Sequence, residues 1–190
     1  MSQTPTLKYL RGYPAEVLAG AARLLAAGTL GARLRERYPE GHAVRTDPAL
    51  YDYVSALKNR HLRNAPALAK VVYDGRLQVV EQALGMHTAV SRVQGGRLKA
   101  KREIRIAALF RDAPAAFLRM IVVHELAHLK ERAHDRAFHA LCQHMEPDYF
   151  QLELDVRLWL TALESGLPGA TKTPTPPVNP FVPANTGPAP

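Results

Sequence analysis

Residues 120–135 read Met-Ile-Val-Val-His-Glu-Leu-Ala-His-Leu-Lys-Glu-Arg-Ala-His-Asp, which brings His124, Glu125, His128 and His134 into one short stretch. On an α-helix, positions i and i+4 differ by about 40° in azimuth and about 6 Å in rise. His124 and His128 therefore present two imidazoles to one point, as a zinc ion requires of its first two ligands. Glu125 is turned about 100° from His124, so it borders such an ion rather than joining the pair. A carboxylate placed there can act as general base, taking a proton from a metal-bound water whose pKa the metal lowers towards neutrality.

His134 is the candidate third ligand. Six residues of unbroken helix amount to about 600° and would turn it away from His128. The helix must therefore stop or bend between Leu129 and His134. Asp135 is a good N-cap for a second helix, and Phe138, Leu141, Cys142 and Met145 give it an i, i+3, i+4, i+7 apolar stripe. His134 then falls in the junction, free to turn back onto the metal. Three histidines leave a fourth position open to water, the arrangement of a catalytic rather than a structural zinc site. Asp135 is the other candidate for third ligand, but capping suits it better. Zinc is the expected ion, with Mg, Mn, Ni or Co as substitutes in vitro.

The elements that must position these residues come from the rest of the chain. With 190 residues, 47% of them hydrophobic, the simplest reading is one domain with ample core. No apolar run approaches the roughly 20 residues of a membrane span. The N-terminus lacks a basic-then-apolar signal pattern, and a single cysteine, Cys142, excludes an intrachain disulfide. A cytoplasmic protein with no membrane partner is expected. The net charge of +8 favours anionic partners, nucleotides or nucleic acid, without choosing between them.

Helices are expected from Pro14 to about Ala27, from Leu30 to Tyr38 with Thr29 as cap, and from the Asp47-Pro48 pair to about Leu62. The period then changes. Residues 70–73 and 77–80 flank Asp74-Gly75, and residues 88–93 and 98–109 flank Gln94-Gly95-Gly96, each pair reading as a hairpin. In the last strand Ile104 and Ile106 share a face with Leu98 and Ala100, while Arg97, Lys99, Lys101 and Arg105 take the other. Asp112 and Pro114 open the metal helix, about Ala113 to Arg132. Two more helices follow, Arg136–Met145 and Asp148–Ser165, the last ending at Gly166. Residues 166–190 hold eight of the fifteen prolines and read as a disordered tail. The expected architecture is α+β, a zincin-like single domain over residues 1–165: N-terminal helices, a small antiparallel twisted sheet, the metal-binding helix and C-terminal helices.

Several stretches together resemble the YgjP-type family of metal-dependent hydrolases. They are Leu62-Arg63-Asn64-Ala65-Pro66, residues 87–96 (His-Thr-Ala-Val-Ser-Arg-Val-Gln-Gly-Gly), Leu98-Lys99-Ala100-Lys101, Glu103-Ile104-Arg105, residues 117–131 around the histidine motif, and His144-Met145-Glu146-Pro147. The likeness covers roughly residues 8 to 165. It implies a zincin-like fold, His124, His128 and His134 on the metal, and Glu125 as base. The family is grouped with metallopeptidases by its motif, yet a member is described as a UTP pyrophosphatase. A broader set carries Arg-Trp-Gly-Ser-Cys before the metal helix. This chain has Ser91-Arg92-Val93-Gln94-Gly95-Gly96 there, so that set's substrates do not transfer.

Phosphoanhydride hydrolysis, the reading the resemblance implies, needs cations against a triphosphate. Arg92, Arg97, Lys99, Lys101 and Arg105 are the candidates, with Lys58, Arg60 and Arg63 as a second cluster. A metallopeptidase is the alternative, in which the last strand adds a peptide by edge pairing and Tyr149 is the candidate oxyanion helper. A DNA-associated peptidase, as in SprT-like zincins, is a third; the charge permits nucleic acid but no aromatic-and-basic interleaving supports it. His42 and His61 read as surface residues, His139 and His144 as packing or solvent residues, and His87 as a support for the site.

Overall fold

The computed structural model describes residues 7–75 and 102–167. Three helices, α1 (Ala15–Ala26), α2 (Leu30–Arg37) and α3 (Asp47–His61), precede two strands, β1 (Leu68–Asp74) and β2 (Arg102–Ala107). A 3₁₀ turn, Ala108–Asp112, then leads to α4 (Ala115–Ala127), α5 (Arg136–Met145) and α6 (Tyr149–Glu164).

The helix at the centre is α4. Phe117, Leu118, Met120, Ile121, Val122, Val123, His124, Leu126 and Ala127 are all buried along it. Residues that cover every side of a helix leave it no solvent face, so it has to be enclosed. It packs against α3, α5, α6 and β2. Phe117 lies 4.8 Å from Tyr38 and 5.5 Å from Trp159, ring centre to ring centre, and Phe110 lies 5.7 Å from Trp159. These aromatic contacts join α2, α4 and α6 to the turn before α4. One hydrophobic cluster runs from Leu25 to Ala162. Among the described residues no single helix is long and apolar enough to cross a membrane.

Two expected caps are made differently. The cap of α3 is Thr46, whose Oγ1 accepts from Ala49 N at 3.3 Å, not Asp47. Asp47 accepts from Tyr73 N at 3.0 Å instead, tying the first turn of α3 to β1. Pro114 occupies the N-cap position of α4, while Asp112 takes a 2.6 Å hydrogen bond from Arg45 Nη1.

The sheet corrects the expected strand direction. β1 and β2 pair in parallel, with Val71 opposite Ile104 and Tyr73 opposite Ile106, rather than forming an antiparallel sheet. The physical reason lies in the connection. A tight turn forces antiparallel neighbours, but parallel neighbours need a dozen or more residues between them, and residues 75–101 supply that length. Val71, Tyr73, Ile104 and Ile106 are buried on the core side. Arg105 lies across the pair and meets Asp74 Oδ2 and Glu103 Oε1, both at 2.7 Å. The expected strands at 77–80 and 88–93, the Gln94-Gly95-Gly96 turn, residues 98–101 and most of the proline-rich segment lie outside the described residues.

Candidate metal centre

The three histidines converge because α4 ends where the spacing requires. Its last regular residue is Ala127, five short of the expected end. Leu129 N then bonds Leu126 O at 3.1 Å and Lys130 N bonds Ala127 O at 3.0 Å, so the final turn tightens to i→i+3 bonds and releases the chain. Asp135 restarts it as expected: its Oδ1 accepts from Phe138 N at 3.0 Å and caps α5. His134 sits just before that cap, turned back towards α4.

The Nε2 atoms form a nearly equilateral triangle. His128 lies 3.2 Å from His124, His134 lies 3.2 Å from His124, and His134 lies 3.1 Å from His128. These are atoms that could hold a metal ion together. With zinc–nitrogen bonds of about 2.0–2.1 Å, an ion equidistant from all three would stand about 0.9 Å off their plane, with N–metal–N angles of about 100°. That is close to tetrahedral and leaves one side open.

Tautomers support the same fit. His128 Nδ1 lies 2.9 Å from Glu131 O, an atom that can only accept, so Nδ1 carries the proton and Nε2 of the neutral ring is bare. Bare nitrogens at this spacing repel one another unless a cation lies among them. The end of α4, the negative end of its dipole, adds to the attraction for a cation. His124, 3% exposed, is held well below the usual histidine range by burial first and then by His128 and His134. It stays neutral and available as a ligand.

Phe138 closes one side of the triangle. Its ring centre lies 5.0 Å from that of His124 and 4.6 Å from those of His128 and His134. Being nearly equidistant from the three rings, it lies on their common axis and covers that side with hydrocarbon. Glu125 is partly exposed as a residue, but its carboxyl is heavily desolvated, and burial pushes it up to about 8.

Two of the expected substrate contacts have partners within the protein. Tyr149, the candidate oxyanion helper, places its hydroxyl 2.8 Å from His124 Nδ1, on the opposite side of that ring from Nε2. Only 1% exposed, it stands behind the triad rather than in front of it. Arg105 is occupied by Asp74 and Glu103 in the sheet. Arg92, Arg97, Lys99 and Lys101, and also His87, lie outside the described residues. In the second basic cluster Lys58 is buried in α3, whereas Arg60 and Arg63 are exposed.

Other histidines are placed away from the triangle. His42 is buried, not a surface residue, with Nε2 2.9 Å from Phe110 O. His61 and His144 meet edge to face at 5.8 Å, at the C-terminal ends of α3 and α5. His139 lies against Phe138 and Phe150 at 5.5 and 5.3 Å. Two supports were missed from sequence: the Glu131 carbonyl and the Phe138 floor. Only Phe138 left a local signal, as the first residue of the apolar stripe on α5.

Residues 56–157 match a family described as YgjP-like, metallopeptidase domain. A protein of Escherichia coli (strain K12) named UTP pyrophosphatase is 59% identical over 160 residues, covering 84% of this chain and 96% of that protein. No solved structure matches the chain.

Proposed function

The chain belongs to the YgjP-like, metallopeptidase-domain family, and from that premise we propose that it is a zinc-dependent, zincin-like hydrolase releasing pyrophosphate from UTP. The observation that carries the metal is the convergence of three Nε2 atoms within 3.1–3.2 Å of one another, on a helix where Glu125 follows His124. The substrate follows from the name of the E. coli relative, 59% identical to this chain.

A bound zinc ion would supply Lewis acidity to a phosphoryl oxygen and acidify a water at neutral pH. His124, His128 and His134 would hold it through Nε2. Glu125 would take the proton from the attacking water as that oxygen bonds to the α-phosphorus. The anhydride bond from the α-phosphorus to the bridging oxygen then breaks, leaving UMP and pyrophosphate. Desolvation alone keeps the Glu125 carboxyl protonated up to about 8, and a nearby cation shifts it back towards the carboxylate that a base must be. The Glu131 carbonyl fixes the tautomer of His128, and Phe138 keeps water off the inner side of the site. Arg92, Arg97, Lys99 and Lys101 remain the proposed triphosphate contacts, and Arg105 leaves that group.

The peptidase alternative loses its named electrophile, because the Tyr149 hydroxyl is turned to His124 Nδ1. The test is pyrophosphate release from UTP by zinc-loaded protein, with Glu125→Gln as control. Turnover that disappears in the variant supports the assignment. No turnover on any nucleoside triphosphate, with cleavage of unfolded protein instead, would replace it with the peptidase.

A further inference from the structure

We propose that the ion pair between Arg119 and Glu146 is a positioning tie that holds α5 against α4 before a cation arrives, and so sets how tightly the three histidines bind one. The inference rests on the metal assignment above, and both residues act through the ligands rather than on substrate.

The helices α4 and α5 form an antiparallel pair that is tied at both ends. At one end the junction of residues 128–135 turns the chain, and His134 returns to His124 and His128. At the other end Arg119 Nε donates to Glu146 Oε2, and Arg119 Nη2 donates to the Met145 carbonyl at 2.9 Å. Arg119 stands eight residues before Ala127, the last of α4, which is about 12 Å of helical rise. The planar fork of arginine suits this double grip, one guanidinium holding a carboxylate and the backbone of the residue before it. The Glu146 side chain is 13% exposed and that of Arg119 33%, so salt and water screen the pair less than an open surface contact.

Glu146 is also the corner between α5 and α6. Its N–H closes α5 on the Cys142 carbonyl at 2.8 Å, and its own carbonyl accepts from Tyr149 N at 3.0 Å, where α6 begins. Tyr149 in turn places its hydroxyl 2.8 Å from His124 Nδ1. A grip on this corner therefore fixes two things about the site. It sets where α5 lies, and with it His134 at the head of that helix, and it sets where Tyr149 meets His124. The three rings come from α4 and from the junction to α5, so a cation meets a gathered set only while the two helices keep their spacing. Ligands held in place beforehand need not be ordered when the cation binds, and affinity rises accordingly.

Zinc affinity of the folded full-length protein, measured by chelator competition, should weaken by about tenfold in Arg119→Gln, the low end of what supports around metal ligands contribute, because this pair is remote from the ion. Glu146→Gln should weaken it similarly, and the double variant should be no worse than either alone, since each breaks the same tie. Arg119→Lys keeps the charge but gives up the fork, and should fall between wild type and Arg119→Gln. A role confined to folding would lower stability in urea and leave the affinity of the folded protein unchanged. Amide hydrogen exchange reads the tie directly: α5 should stay protected in the zinc-free wild type, lose protection in Arg119→Gln, and regain it with zinc. Should Arg119→Gln not fold, Glu146→Gln, Arg119→Lys and the exchange of the wild type carry the test. An unchanged affinity in Arg119→Gln, additive losses in the double variant, or an α5 that exchanges freely in the zinc-free wild type would each overturn the proposal. A folded wild type that binds no zinc at all would instead overturn the metal assignment itself, before any variant is compared.

Discussion

Glu125→Gln in zinc-free protein should make folding stability less sensitive to pH. Burial holds the native carboxyl at about 8, against an ordinary value of 4.5. Between those values the unfolded chain is ionised while the native protein keeps its proton. The native state thus binds more protons there, and its stability falls as pH rises through the window. Glutamine is neutral throughout and escapes this loss. At about 1.4 kcal/mol per pKa unit, the interval from 4.5 to about 8 sets a ceiling of about 5 kcal/mol. The residue is partly exposed, and water reaching the carboxylate lowers that figure, so about 1–3 kcal/mol is expected.

The sign is fixed by the direction of the shift. The stability difference between variant and wild type should be smallest below 4.5, grow through the window, and level off above about 8. His124 works the other way: its depressed pKa costs native stability as pH falls below 6.5, where the unfolded imidazole gains a proton. Both proteins carry that cost, so it cancels in the difference. Any fixed penalty for the buried amide shifts the whole curve and leaves its slope alone. Urea unfolding of chelator-treated proteins from about pH 5 to about pH 9 measures it. A difference that stays flat across that range refutes the desolvated carboxyl. Saturating zinc should flatten the curve, because the cation favours the ionised form.

Zinc at about 100 times its dissociation constant should stabilise the wild type by about 2.7 kcal/mol, and His134→Ala should abolish that gain; a variant still stabilised to the same extent would remove His134 from the ligand set. Asp135→Ala should lower stability by about 1 kcal/mol through loss of the α5 cap and weaken zinc binding as well, since the cap adjoins His134; chemical denaturation and chelator competition read the two effects, and an unchanged zinc affinity would separate cap from site. Arg105→Gln should leave the KM for UTP within about twofold, because Asp74 and Glu103 hold the guanidinium; an increase beyond about tenfold would return it to the substrate contacts.

What could be read from the sequence follows from how far apart the interacting residues lie along it. The triad pairs are separated by 4, 6 and 10 residues, and helix geometry with one enforced break places them without knowledge of the tertiary fold. The start of α1 at Pro14, the start of α5 at the Asp135 cap and the end of α6 at Gly166 were readable for the same reason, because each signal acts within one turn. By contrast, α4 ends five residues before its expected limit. The pairing of Tyr149 with His124 spans 25 residues and depends on α6 crossing behind α4, which no local spacing encodes. As a buried aromatic it looked like packing or like an oxyanion donor; it does pack in the core, and the place of its hydroxyl at His124 Nδ1 decides against the second role.

The strand direction failed for a related reason. Asp74-Gly75 is a local turn signal, and it argued for an antiparallel neighbour immediately after β1. The partner that β1 takes among the described residues is β2, where Tyr73 pairs with Ile106 across a connection of dozens of residues. Burial selects that partner: Val71 and Tyr73 need a second apolar row to complete the buried face of the sheet, and Ile104 and Ile106 supply it. The same pairing explains the fate of Arg105. Its place opposite Val72 brings it beside Asp74, and a cation that reads from sequence as a phosphate contact becomes the tie between two parallel strands. Charge on a strand face is therefore not evidence for a ligand until the neighbouring strand is known. The basic residues at 92–101 stand at that point, and substituting Lys99 and Lys101 together, with KM for UTP as the readout, distinguishes triphosphate contacts from a second set of cross-strand pairs.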